Sequence, residues 1–138
     1  MKLSICDIGG EIVKDNETYI LKDNKTLKNL VVSSTMLHPG KSTRGHLHEG
    51  QEEVYYFISG KGYIELIKNG INAMHHVQPG DVVLIEDGVF HKVYTDISTN
   101  QPLYFVCVFD GKRNHWNENR IYMFLFWPVS RRPCYDVK

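Results

Sequence analysis

Hydrophobic positions along this chain fall in short runs, each closed by turn-forming residues, and nowhere recur at the spacing of a sustained amphipathic helix. Leu30 to Leu37 is rich in β-branched residues and stops at His38-Pro39-Gly40, and Val54 to Ile58 stops at Gly60-Lys61-Gly62. Both segments predict strands. Tyr63–Ile67 and Ala73–Val77 flank Lys68-Asn69-Gly70-Ile71, and an Asn-Gly pair between two such segments predicts a tight hairpin, because both residues tolerate positive φ. Val82–Ile85 and His91–Tyr94 are separated by Asp87-Gly88, and Leu103–Phe109 follows the polar connection Ser98-Thr99-Asn100-Gln101-Pro102. Residues 111–120, GKRNHWNENR, are polar and irregular, and they precede Ile121–Trp127, which is apolar on both faces. That last segment predicts a buried closing strand, or a strand that packs across a homodimer. Eight or so closely spaced strands predict an all-β fold, an antiparallel sandwich or barrel, whose mouth can hold a ligand.

Composition narrows the setting. With 138 residues the chain fits one domain, 1–138. Sixteen Lys+Arg balance sixteen Asp+Glu, so no excess charge favours nucleic acid or an anionic membrane. The longest apolar runs are seven residues, far short of the ~20 that cross a bilayer as a helix. The N-terminal MKLSICDIGGEIVKDNE does not fit a secretory signal, which leads to a cytoplasmic expectation. Cys6, Cys107 and Cys134 are odd in number and widely spaced, which argues against a disulfide framework or a cysteine zinc site and for reduced thiols.

The seven histidines carry more information. His46 and His48 are two apart, so on an extended backbone both imidazoles leave one face side by side. Glu53 opens the next strand on the same face as Tyr55 and Phe57, where a hairpin would return its carboxylate toward the histidine pair, and His91 supplies a third imidazole from a later strand. Three neutral nitrogens and one carboxylate suit one divalent transition metal, Fe(II), Mn(II), Ni(II), Co(II) or Zn(II), with positions left for substrate. His75 and His76 are adjacent and point to opposite faces of a strand, so both cannot chelate from it. They are read as structural. His38 and His115 fall in loops, and Glu49 and Glu52 lack the strand position of Glu53.

At Gly40, His46, His48, Glu53 and Gly60, and again at Gly80, Gly88 and His91, the chain resembles the two motifs of the cupin superfamily. Two positions depart from the second motif: Glu86 stands where proline is expected and Thr95 where asparagine is. The resemblance covers residues 30–110. It implies a double-stranded β-helix, or jelly-roll β-barrel, with its metal at one end of the bore and residues 111–138 as a C-terminal extension. Gly40-Lys41-Ser42-Thr43 imitates a phosphate loop, but Thr35 occupies the position of the first glycine and a strand follows instead of a helix.

Thr35-Met36-Leu37-His38-Pro39-Gly40-Lys41, Thr43-Arg44-Gly45-His46-Leu47-His48, Glu53-Val54-Tyr55 and Gly60-Lys61-Gly62 are similar to the cupin-type phosphoglucose isomerases. That likeness implies a small-molecule partner, a sugar phosphate, contacted by Thr43, Gly45 and Tyr55, and an aldose–ketose isomerisation in which Glu53 moves the proton, with Tyr55 as the other candidate. Two readings from other classes stand beside it: a cupin dioxygenase using Fe(II), and a non-enzymatic barrel that only binds metal or a small molecule. A homodimer is expected from Ile121–Trp127.

Overall fold

The structure is a computed structural model of the chain and describes residues 1–111. Among these are nine strands: β1 Glu11–Asp15, β2 Tyr19–Asn24, β3 Leu30–Leu37, β4 Glu53–Ser59, β5 Gly62–Lys68, β6 Ile71–Val77, β7 Val82–Ile85, β8 Phe90–Thr95 and β9 Leu103–Asp110. They form a six-stranded sheet in the order β1-β2-β3-β9-β4-β7 and a three-stranded sheet in the order β6-β5-β8. Every pairing is antiparallel. The two sheets enclose one apolar interior, as the jelly-roll expectation requires.

Alternation of side chains decides what enters that interior. On β4, Glu53, Tyr55 and Phe57 are buried, while Val54 is half-buried and Tyr56 exposed. On β8 the inward set is His91, Val93 and Thr95. Strand β9 departs from alternation and is buried at five consecutive positions, Leu103 to Cys107. It sits in mid-sheet, and its outer face is also covered: Ile8 packs with Tyr104 and Val106, and the Tyr104 hydroxyl donates to the Ile5 carbonyl at 2.9 Å. A strand buried on both faces reads as a continuous apolar run, which is how Leu103–Phe109 stands in the sequence.

The predicted Asn-Gly hairpin joins β5 to β6, with Asn69 at φ 53° and Gly70 at φ 75°, the left-handed pair that a two-residue turn requires. Strands β1 and β2 add two elements that the sequence pattern did not single out. The segment carrying His46 and His48 is extended but forms no regular strand. It runs antiparallel to β8 through two isolated bridges, Ser42 to Tyr94 and His46 to His91, with one more residue between the bridges on the segment than on β8. Gly45 occupies this bulge at φ +89°, where an added Cβ would lie 2.5 Å from Cζ of Phe90. Hydroxyls pin the flanks: Val93 N–H donates to Thr43 Oγ1 at 2.8 Å, and Thr95 Oγ1 donates to the Lys41 carbonyl at 2.9 Å.

The expectation of three thiols holds at Cys6, which is free and exposed, and is corrected at Cys107, which is disulfide-bonded. Cys134, His115 and the Ile121–Trp127 segment lie outside the described residues.

Two motif glycines differ in what holds them. A Cβ on Gly60 (φ +82°) would fall 2.1 Å from the Pro102 carbonyl oxygen, whereas one on Gly40 (φ +75°) would meet nothing within 4 Å. Gly40→Ala therefore costs about 1–2 kcal/mol, the intrinsic left-handed penalty. Gly60→Ala adds displacement of a neighbouring backbone and costs more than about 3 kcal/mol. Urea unfolding of the two variants, read against each other, checks the difference.

Candidate metal centre

His46 and His91 are joined by two backbone hydrogen bonds, His46 N–H to the His91 carbonyl at 3.1 Å and the reverse at 2.9 Å. Residues paired this way send side chains to the same side, and here that side is the interior, with the ring centroids 4.4 Å apart. His48 stands next to them, 4.9 Å from the His46 ring, and its carbonyl accepts the Gly88 N–H at 2.8 Å. Glu53 arrives from the opposite sheet. The expected hairpin between its strand and the histidine segment does not form: β4 pairs with β9 and β7, and the carboxylate meets the imidazoles across the bore.

All four expected ligands are buried, at 2–3% exposure. Ligand atoms of His46, Glu53 and His91 lie within 4.8 Å of one another, the span of a shared coordination sphere. His91 is oriented for this. Its Nδ1 is 3.1 Å from the Val89 carbonyl, which can only accept, so Nδ1 carries the proton and the Nε2 lone pair is directed away from it. That Nε2 is 3.3 Å from Oε2 of Glu53. A lone pair facing a carboxylate in a dry interior needs a proton or a cation between the two. Burial pushes the Glu53 carboxyl above its ordinary range, opposed by the neighbouring His91 imidazole. Burial and the nearby His91 hold His48 down to about 3, so its imidazole is neutral, the state in which it binds a metal. The residues present therefore fit a divalent transition metal, held by His46, Glu53 and His91 with His48 adjacent.

The remaining predicted residues separate into two kinds. Tyr55 is buried beside the centre, its ring 5.7 Å from that of His91 and stacked on Phe105 at 5.3 Å. Thr43 and Gly45 are committed to backbone geometry, the first through the Val93 N–H and the second through the bulge. Neither departure from the second motif touches a ligand. Glu86 pairs with Lys68 at 2.7 Å on the surface, and Thr95 ties the segment to β8. His75 and His76 are exposed on β6; His38 Nε2 is 3.1 Å from the Asn16 carbonyl. Sequence reading missed Asp23, a carboxylate at 3% exposure that shares the inward face of β2 with Tyr19 and Leu21 and pairs in register with Ser33. Its signal was the alternation Tyr19-Leu21-Asp23. It also missed the Val89 carbonyl, two residues before His91, that orients that ring.

Residues 34–109 match the family model described as a cupin domain. No curated protein sequence matches the chain. Among solved structures it is similar to oxalate decarboxylase from Bacillus subtilis, at 22% identity and TM-score 0.64 over 88% of this chain and 37% of that one. Mn(II) centres are described for that protein. It is also similar to KdgF from Halomonas sp., at 17% identity and TM-score 0.60 over 77% of this chain and 92% of that one. The chain thus spans under two-fifths of the oxalate decarboxylase, and at these identities the likeness is one of fold.

The raised Glu53 carboxyl sets the pH dependence of metal uptake. A metal takes the carboxylate, so below the raised Glu53 pKa each bound ion must displace a proton. Affinity there is expected to rise with pH, by up to about tenfold per unit, and to level off once Glu53 is ionised. His48, neutral down to about 3, adds no second step in that window. Calorimetric titration with Zn(II) or Mn(II) in two buffers of different ionisation enthalpy reads the released proton directly; a pH-independent affinity with no proton release would refute the assignment to Glu53.

Proposed function

Since the chain belongs to the cupin family, we propose that it is a metal-dependent enzyme acting on a small polar substrate, and that the reaction is an aldose–ketose isomerisation. The observation that carries this reading is the convergence of His46, Glu53 and His91 within 4.8 Å, with Tyr55 packed against the same centre. When bound, a divalent ion would supply Lewis acidity to a carbonyl oxygen and the neighbouring hydroxyl, which would acidify the proton on the hydroxyl-bearing carbon next to the carbonyl. Glu53 then accepts that proton and returns it to the former carbonyl carbon, while the hydroxyl proton passes to the former carbonyl oxygen, so the isomerisation proceeds without net oxidation. Tyr55, fixed by its stack on Phe105, positions the sugar chain.

Sugar phosphate is the substrate that the sequence likeness implies, with Thr43, Gly45 and Tyr55 around it. The chemistry of the wall favours the sugar over the phosphate. Among the described residues no lysine or arginine is buried, whereas Asp23 and Glu53 both are. A phosphate dianion deep in the bore would have only the metal to neutralise it. The phosphate is accordingly placed toward the mouth, with the carbonyl end at the metal. The protein is further proposed to act in the cytoplasm, and as a homodimer.

Elemental analysis of purified protein beside His46→Ala is the test, followed by assays in the metal it contains. About one equivalent of metal is expected, lost in the variant. Glu53→Gln should keep some metal and lose roughly 10²–10⁴-fold in isomerisation of glucose 6-phosphate and of free hexoses. Oxygen uptake by the Fe(II) form, or carbon dioxide release from oxalate by the Mn(II) form, would replace the isomerase reading. Metal and sugar binding without turnover would reduce the protein to a binding module.

A further inference from the structure

Gln51 lies in the short stretch between His48 and β4 and has no part in the chemistry above. Its backbone is pinned on both sides: Gly88 N–H donates to the His48 carbonyl at 2.8 Å, Gly50 N–H donates to Asp87 Oδ1, and β4 begins two residues later at Glu53. Burial alternates along this stretch. Gln51 and Glu53 are 4% and 3% exposed, while Glu52 between them is exposed. On an extended chain this puts the glutamine amide on the same inward side as the Glu53 carboxylate, roughly 7 Å along the chain from it. Gln51 Nε2 donates to the Asp110 carbonyl at 2.9 Å. A carbonyl can only accept, so this contact settles which end of the amide is nitrogen and which is oxygen. The other end, Oε1, is buried and has no hydrogen-bond partner among the described residues. A desolvated amide oxygen in that state costs stability unless a donor meets it, which marks it as a receiving group.

We propose that Gln51 is a specificity-determining residue of this centre, its Oε1 accepting a hydrogen bond from a hydroxyl of the substrate. The inference rests on the reading above that the interior takes a polyhydroxy compound, and it adds the group that tells such a compound from an anionic one. An aldose or ketose brings a hydroxyl donor from the carbons near its carbonyl. An oxalate dianion has oxygens that only accept. It would set acceptor against acceptor at Oε1, and no lysine or arginine is buried among the described residues to offset the repulsion. A site built to hydrogen-bond a hydroxyl rejects analogues that lack it far more strongly than an apolar wall does. The tie to Asp110 helps, because an amide already held in place loses little side-chain freedom when substrate arrives.

Calorimetric binding to the metal-loaded protein tests this without turnover. The ligands are D-glucose, those of its monodeoxy analogues that keep the anomeric oxygen, and oxalate; the proteins are the native chain and Gln51→Met, an unbranched replacement of similar length. In the native chain, removing one particular hydroxyl is expected to weaken binding about tenfold. Gln51→Met should show the same loss with intact glucose, no further loss with that deoxy analogue, and oxalate binding that is unchanged or tighter. The deoxy series in the native chain needs no variant to fold, and a series with no sensitive position would overturn the proposal. So would a variant that weakens glucose and oxalate alike and keeps the deoxy pattern of the native chain, the signature of a purely structural glutamine. Absence of hexose binding would remove this proposal and the isomerase reading together. Failure of the isomerase reading alone looks different: the Gln51-dependent pattern is present and glucose 6-phosphate is not converted.

Discussion

A carboxylate and an imidazole lone pair face each other across 3.3 Å inside an apolar barrel, and the arrangement is tolerable only with positive charge between them. Without such charge, burial raises the Glu53 carboxyl, and the imidazole opposite it pulls the other way. A divalent ion resolves the opposition. It would convert two desolvated acceptors into ligands, with His46 in reach of the same ion and His48 adjacent. Removing one partner from such a set leaves the others buried and uncompensated, which costs more than any pairwise contact is worth. The ligand set is therefore a structural as well as a chemical unit, and its geometry constrains the strands that carry it.

That constraint explains an irregular element. The segment from Lys41 to His48 must turn His46 inward opposite His91 and place His48 next to it, yet remain bonded to β8 at Ser42 and Thr43. A regular strand in one register would not meet both demands. The extra residue between the bridges supplies the shift, and the bulge is possible because Gly45 takes φ +89° and leaves room for the Phe90 ring. The glycine that family likeness would place beside a sugar is thus required first by the backbone. Thr43 illustrates the same point, since its hydroxyl caps a β8 N–H. A substrate approaching this side meets groups already engaged, whereas Tyr55 presents a ring whose position is set by packing.

Much of this was legible in the sequence. Strands β3 to β9 fall where period-two runs and turn residues put them, because each run is bounded by Gly, Pro, Asn or Asp whose conformational demands are local. The ligand residues were legible too, since a two-residue spacing dictates a shared face whatever the partner strand. What could not be read was pairing. Nothing local in Glu53–Ser59 reveals that β9, some fifty residues later, lies beside it, and so the expected hairpin to the histidine segment was wrong while the meeting of Glu53 with the histidines was right. Strand β1 escaped because Glu11–Asp15 is almost wholly exposed and carries no apolar alternation to detect, whereas β2 did carry one at Tyr19 and Leu21 that was passed over.

The two departures from the second motif show which features of the sequence the site depends on. Proline at position 86 would stiffen the turn before His91; here Glu86 points outward to an exposed pair with Lys68, while Val89 N–H bonds the Glu86 carbonyl at 3.1 Å. The turn is held by its hydrogen bonds, so the identity of the side chain at 86 is secondary. At Thr95 a hydroxyl reaches the Lys41 carbonyl that its own N–H also serves, at 2.9 and 3.1 Å. Both substitutions preserve the backbone path that leads Val89 and His91 into position, and the path is what the ligands require. A motif read as a string of letters overstates these positions; read as a set of backbone constraints, it is satisfied throughout.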